Sequence, residues 1–252
     1  MVDRVVSLAP SATVSIRHIG RGDVLVGQTN HCPGDTYRVG DWLAPDIDAI
    51  EDLEPDLVVT TDALQDRIVD EITDRGIDTA HFTPATLEDV LAYIRQLGTL
   101  IDASAAGDQL VEDLEHRLER VRRAVEDTAR PVVYAEEWQD PPMAAGNWVP
   151  DAIRIAGGTY PFRDPGERSA PIDRETVERA QPHTAILHIC GSGDDVNPDS
   201  LEERGWDIPA VRRHRVYVLS DEYLNQPSPH LITGVERIAS ILHPSQMSSH
   251  DT

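Results

Sequence analysis

The chain has 252 residues, 40% of them hydrophobic, which is enough for one large domain or two lobes of roughly 100 to 120 residues each. Its 45 acidic residues outnumber 22 basic ones, all arginine, giving a formal net charge of −23 that sets the protein against nucleic acid and anionic membrane surfaces. The acids are scattered rather than gathered in a tail, and the apolar periodicity is strong. That combination fits the solvated surface of a folded protein from a salty, halophilic setting better than a disordered acidic chain.

In chain order, Arg4 to Ala9 is a buried strand, and Pro10-Ser11 turns out of it into a helix ending near Gly20, with Ser11 as its expected cap. A strand at Asp23 to Thr29 leads to a loop of Cys, Pro, Gly and Asp. A further strand is expected at Asp56 to Thr60, a helix at Leu64 to Arg75 closed by Gly76, a strand at Asp78 to Phe82, and a helix from Thr86 to about Leu100. Strands alternating with helices imply a mainly parallel sheet covered on both faces.

Residues 103–128 differ. Leu110, Val111, Leu114, Leu118, Val121 and Val125 form an apolar stripe at helical spacing, with dense charge on the other faces and no proline. The alternatives are a stiff strut between two lobes and an ordinary amphipathic helix of a single domain. The strut divides the chain into an N-terminal lobe at 1–102, a backbone helix at 103–128, a C-terminal lobe at 129–244 and a frayed, disordered tail at 245–252. In the second half, strands are expected at Val132 to Glu136, Thr184 to Ile189 and Arg215 to Leu219. Helices are expected at Val149 to Ala156 and Pro229 to Leu242, with a loop from Pro141 to Trp148 and a short segment at Ser200 to Arg204.

One pattern is written twice. Asp46 to Thr61 and Asp173 to His188 lie 127 residues apart, and Asp46, Asp48, Ile50 and Pro55 match Asp173, Glu175, Val177 and Pro182. Each copy is a short helix with acids in its first turn, a proline, and an apolar strand. Two similar lobes with a ligand cleft are the expected architecture. Asp46 and Asp173 are expected caps, and Asp48 and Glu175 offset the helix dipoles or, if exposed, dock basic sites on a symmetric partner.

No phosphate loop, nucleophile elbow, HExxH or dinucleotide fingerprint is present, and Gly191-Ser192-Gly193 is a plain turn before it is a phosphate cradle. Ligands of open parallel sheets bind at strand ends. The loops there hold Tyr37, Trp42, Trp138, Trp148 and Tyr223, suited to stacking on a planar or amphipathic ligand or to plugging the lobes. His31-Cys32 and His188-x-Cys190 are the soft-ligand pairs, each readable as a metal ligand pair or as one loop histidine and one small cysteine. With no CxxC spacing, Cys32 and Cys190 are expected as two separate thiols rather than a disulfide. No apolar run of ~18 residues is present to cross a membrane. A strand that begins by residue 4 leaves no room for a signal peptide, so the chain as written is expected in the cytoplasm. An incomplete or processed N-terminus would place it at the cell surface or outside.

The segments RVVSLAPSATVSIRHIG, VLVGQTNHCP and VGDWLAPDIDAIEDLEPDLVVT resemble the first lobe of the helical-backbone metal-chelate receptors, the substrate-binding proteins of cobalamin, siderophore and haem ABC importers. PVVYAEEWQDPPMAAGNWVPDAIRIAGG, IDRETVERAQPHTAIL and VYVLSDEYLNQPSPHLITGVERIASILHP resemble the second lobe. The resemblance covers essentially the whole chain and is greatest to the cobalamin receptors. It implies an α/β fold of two Rossmann-like lobes with mainly parallel sheets joined by one long backbone helix. It also implies a non-enzymatic, monomeric protein with no cofactor of its own, which delivers a corrinoid to the permease dimer of an importer. Tyr37, Trp42, Trp148, Asp221 and Tyr223 are the implied pocket residues, with Asn147, Pro10 and Ser11 beside them. Asp48 and Glu175 take the place of the family's paired docking acids. Val14 stands where the family usually has Glu, Asp48 is one methylene shorter than the usual Glu, and Asn225 occupies a position that can be basic. Ferric siderophore or haem binding, a cytoplasmic corrinoid carrier, and a chelatase-like enzyme using His31 or His188 are the alternatives.

Overall fold

The computed structural model describes residues 1–247. The chain divides into two compact units, one of residues 1–84 and 88–113, the other of residues 85–87 and from Leu114 onward. In the first unit, β1 (Val5–Ser7), β2 (Leu25–Gln28), β5 (Leu57–Thr61) and β6 (Thr79–Phe82) form an all-parallel sheet in the order β2-β1-β5-β6. Between them in sequence lie α1 (Pro10–His18), a two-residue hairpin of β3 (Gly40–Asp41) and β4 (Ala44–Pro45), α2 (Ile47–Asp52) and α3 (Asp66–Asp74). The central strands β1 and β5 are buried throughout, as expected of parallel strands covered on both faces, whereas β6 at the sheet edge is half-buried. Val6, Leu8, Ile50, Val58 and Ile72 are the core on one side, and Ile94 and Leu97 of α4 (Leu87–Leu100) are buried as well.

The helix α5 (Ser104–Ala124) is shorter than the 103–128 expected from the stripe and spans on the order of 31 Å. The boundary between the units falls within it, at Asp113/Leu114. It meets α4 at a glycine contact: a Cβ on Gly98 would lie 3.0 Å from the Gly107 Cα, so the backbones touch where side chains are absent. Further along, Leu114, Leu118, Val121 and Val125 are buried, and Arg117 pairs Glu236 at 2.6 Å.

The second unit has the sheet β11-β10-β7-β8-β9. Here β7 (Val133–Gln139), β10 (Thr184–Leu187) and β11 (Val216–Val218) are parallel, while β8 (Pro142–Ala144) and β9 (Ala170–Pro171) extend it antiparallel. The loop expected from Pro141 to Trp148 is therefore half strand. Pro142 is tolerated as the first residue of β8 and Pro171 as a residue of the edge strand β9, where a missing donor costs least. The helices are α6 (Val149–Ile155), α7 (Arg174–Ala180), α8 (Ser200–Glu203), α9 (Pro209–Arg212), α10 (Asp221–Leu224), α11 (His230–Leu242) and α12 (Pro244–Met247). The core centres on Tyr134, stacked on Trp206 at 5.2 Å and edge-on to Phe162 at 5.5 Å.

The duplicated unit is present in both halves, with differences. Asp46 caps α2 by accepting from the Ala49 N–H at 3.0 Å, whereas Asp173 precedes α7 without a side-chain capping bond. Ser11 does not cap α1. Ala9 is the N-cap and Pro10 the first helical residue, which puts the Ser11 hydroxyl inside the first turn. Residues 245–247 of the expected frayed tail belong to α12, and 248–252 lie outside the described residues.

Candidate functional site

The loops at the C-terminal ends of the parallel strands are tied together in the first unit by one buried polar side chain and in the second by separate bonds from Trp148 and Asp221. In the first unit that residue is Gln65, fully buried. Its Nε2 donates to the carbonyls of Leu8 and Trp42, both at 3.0 Å, and its Oε1 accepts from the Thr61 N–H at 3.0 Å. One amide thus joins the end of β1, the β3–β4 hairpin and the end of β5. Gln65 falls near the start of the helix expected from Leu64, where the sequence gives it no role. Its two carbonyl partners are 57 and 23 residues away, beyond any local pattern.

Around this clamp, Ser11 and Thr61 share a hydroxyl–hydroxyl bond of 2.8 Å beside Pro10. Trp42, half-buried, sits at the tip of the hairpin, and Tyr37 is 59% exposed in the preceding loop. Leu43 and Leu64 are also exposed, so these residues make the rim apolar. Gly40 holds the hairpin at φ 94°, and a Cβ there would lie 2.9 Å from the Ala44 carbonyl oxygen. Arg38, the sole arginine of the loops that follow the first unit's strands, is exposed but folds back on its own loop: Nη1 donates to the carbonyls of Thr29 and Cys32 at 2.7 Å.

His31 and Cys32 diverge. Cys32 is buried, its Sγ 3.2 Å from Thr29 Oγ1, while His31 lies in solvent 4.0 Å from Asp41. Among the described residues, no group of three His, Cys, Asp or Glu side chains is arranged to hold a metal ion, and both cysteines are free.

In the second unit, Asn147 adopts φ 52°, and its N–H donates to the Glu167 carbonyl at 2.5 Å. Trp148 follows, only 7% exposed, and its indole N–H donates to the Leu224 carbonyl at 2.7 Å. That bond couples the loop after β8 to α10. Asp221, at the start of α10, accepts from the Gly191 N–H at 2.7 Å and so holds the turn after β10. Tyr223 is half-buried, with the Arg237 guanidinium 4.2 Å above its ring. Trp138 is 46% exposed on the β7–β8 hairpin.

His188, at the end of β10, is fully buried, with Nδ1 2.5 Å from Asn225 Oδ1. Burial holds its pKa below the ordinary histidine value, opposed by Glu137, Asn225 and Asp221. The Cys190 thiol is pushed up, first by burial, with Asn225 pulling the other way. Deeper in the unit, Glu136 is fully buried against Arg204, with contacts at 2.5 and 2.9 Å. Burial still raises the Glu136 pKa against that pairing. The repeat's acids are exposed: Asp48 pairs Arg75 at 2.9 Å, and Glu175 has no side-chain partner among the described residues.

Comparison with known proteins agrees with this architecture. The Periplasmic binding protein family matches residues 5–223. The vitamin B12-binding protein of Vibrio parahaemolyticus is 26% identical over 93% of this chain and 87% of its own. Among solved structures, the vitamin B12-binding protein of Vibrio cholerae superposes with TM-score 0.79 at 22% identity, covering 97% of this chain and 98% of that one. The heme-binding protein RhuT of Roseiflexus sp. RS-1 does so with TM-score 0.83 at 22% identity, covering 98% and 100%. These two structures share its fold. Matched over most of its length, this chain belongs to the periplasmic binding protein family, whose members bind solutes for ABC importers rather than transforming them.

Proposed function

We propose that this protein binds a corrinoid such as cobalamin and presents it to the permease dimer of an ABC importer. The observation that carries the ligand choice is the charge of the strand-end loops. The strand ends and the loops and short elements that follow them contain one arginine, Arg38, which donates to backbone carbonyls, with Arg237 reaching in over the Tyr223 ring, and they carry Asp35, Asp41, Asp62, Glu137, Asp194, Asp221 and Glu222. Haem brings two propionates and catecholate siderophores bring a net negative charge, and either calls for free cations. A corrinoid has a broad apolar ring edged with neutral amides, which suits exposed Tyr37, half-buried Trp42 and acidic surroundings. The vitamin B12-binding relative supports the same choice.

The test is calorimetric titration with cyanocobalamin, haemin and a ferric catecholate in parallel. Cyanocobalamin should bind, and Trp42→Ala should weaken it at least about tenfold through the lost stacking surface. No cyanocobalamin binding at millimolar concentration, or tighter binding of haemin, would defeat the proposal.

A further inference from the structure

The Trp42 ring stands on a short ledge. Its hairpin pairs Gly40 with Pro45 and Asp41 with Ala44, and a ribbon of that length is marginal on its own. The base is held by the Asn30 N–H, which donates to the Gly40 carbonyl at 2.8 Å, and the flank by Asn30 Nδ2, which donates to Asp41 Oδ1 at 2.7 Å. The tip is held from the sheet side, by Gln65 Nε2 at the Trp42 carbonyl. Gln65 reaches that place through a turn its sequence does not favour. Asp62, just past the end of β5, has φ 114° and ψ 135°, a region that suits glycine and strains a residue with a Cβ. The turn is fastened locally: Asp62 Oδ1 accepts from the Leu64 N–H at 2.8 Å, and the Asp62 carbonyl accepts from the Gln65 N–H at 3.0 Å. The strained turn brings the Gln65 side chain back over the strand end, where it meets the Thr61 N–H.

We propose that Gln65 is the positioning residue of the first unit's binding face, fixing the Trp42 ring for the ligand without touching the ligand itself. This rests on the corrinoid reading and adds which residue sets its stacking surface. The partners dictate which way the amide faces, because the Leu8 and Trp42 carbonyls only accept and the Thr61 N–H only donates. Both amide hydrogens and the amide oxygen are used, and the side chain is fully buried, so its work is done inside the unit. Glutamate would set acceptors against two carbonyls, methionine keeps the length with no strong donor or acceptor, and asparagine is one methylene short. A stacking surface held in place before the ligand arrives spares the ligand the cost of ordering it. With the clamp removed, the ligand must order the hairpin tip itself, and affinity falls by that cost. The same amide sets the tip in register with the ends of β1 and β5, where Ser11 and Thr61 share their hydroxyl bond.

The experiment is a double-mutant cycle, with cyanocobalamin titrated into the native protein, Gln65→Met, Trp42→Ala and the two combined. Gln65→Met should weaken binding at least about tenfold where Trp42 is present and less than about twofold in the Trp42→Ala background, because the clamp acts through that ring. A glutamine that merely supports the fold would cost the same in both backgrounds. Gln65→Glu should bind weakly at neutral pH and recover toward the native affinity as pH falls, since a protonated carboxyl donates to one of the two carbonyls. If neither variant folds, hydrogen exchange of the native protein decides: cyanocobalamin should slow exchange in residues 39–46 and 61–65 together. Equal losses in the two Trp42 backgrounds, native-like binding by Gln65→Met, a Gln65→Glu deficit that does not change with pH, or protection of one segment alone overturns the assignment and leaves the corrinoid reading standing. Absence of cyanocobalamin binding by the native protein overturns that reading and this role together.

Discussion

Glu54 and Gln181, 127 residues apart, both hold left-handed backbone, with φ 44° and 48°. They occupy the same place in the two copies of the repeat, after the short helix and immediately before its proline. A residue with a Cβ is disfavoured there by about 1–2 kcal/mol. The duplication is therefore one of backbone geometry as well as of residue pattern. Glu54→Gly should relieve the strain, offset in part by the greater entropy of glycine in the unfolded chain. The net expectation is a gain of up to about 1 kcal/mol in urea unfolding. Gln181→Gly should gain less, because Gln181 Oε1 accepts from Arg212 at 3.1 Å and that bond is lost.

Asp48 and Glu175 are equivalent in sequence but not in surroundings. Asp48, 84% exposed, is held by Arg75, whose pKa is raised by that pairing and by Glu51. Glu175 is exposed and unpartnered among the described residues. If both dock onto the permease, Glu175→Ala should impair coupling more than Asp48→Ala, and Arg75→Ala should enhance it by freeing Asp48. Ligand-stimulated ATP hydrolysis by the reconstituted importer is the readout, with cyanocobalamin affinity unchanged throughout. Equal, undiminished stimulation by the Asp48→Ala/Glu175→Ala double variant would reduce both acids to helix-end charges.

The Glu136–Arg204 pair makes a different demand. Arg204 also donates to the Gln139 carbonyl at 3.2 Å and lies 5.4 Å over the Trp206 ring, so it fastens the segment around α8 to β7. Arg204→Ala leaves a carboxylate fully buried without its countercharge, at an expected cost of about 2–4 kcal/mol, discounted because the arginine is partly exposed. The Glu136 pKa should then rise further. A carboxyl with a raised folded pKa favours the protonated native state, so this variant should regain stability as pH falls. The double variant Glu136→Leu/Arg204→Met should recover most of the loss. Urea unfolding at pH 5 and 8 distinguishes these outcomes.

What could be read from the chain follows from how far apart the deciding groups lie. Buried strands such as Val5–Ser7 and Leu57–Thr61 announce themselves as apolar runs, and the repeat exposed the division into halves. The strands β8 and β9 have three and two residues, and the edge strand β9 is a strand only through its pairing with the distant β8. Trp148 has the composition of a stacking residue. Its burial depends on the Leu224 carbonyl, 76 residues on. Asp46 and Asp173 are identical in pattern, yet only the first accepts a capping bond, and their backbones differ, with ψ 99° and 138°. Ser11 has the chemistry of a cap but lies two residues too late, since Ala9 is the N-cap and Pro10 already starts the helix.

His188 gives the pH dependence its sign. Burial lowers its folded pKa below the ordinary value of about 6.5, with Glu137, Asn225 and Asp221 opposing the shift. A base with a lowered folded pKa is bound by the proton more tightly when unfolded. Its contribution to stability is therefore intact above about pH 6.5 and is lost as pH falls toward the folded value. His188→Gln removes the titration and keeps a neutral side chain of similar polarity. Its stability should fall less steeply between about pH 6.5 and 5 than that of the native protein, while the two curves run parallel at higher pH. Urea unfolding across that range, followed by tryptophan fluorescence, should show the slopes diverging only on the acid side. Identical slopes would mean that His188 titrates in the folded protein as it does in the unfolded chain.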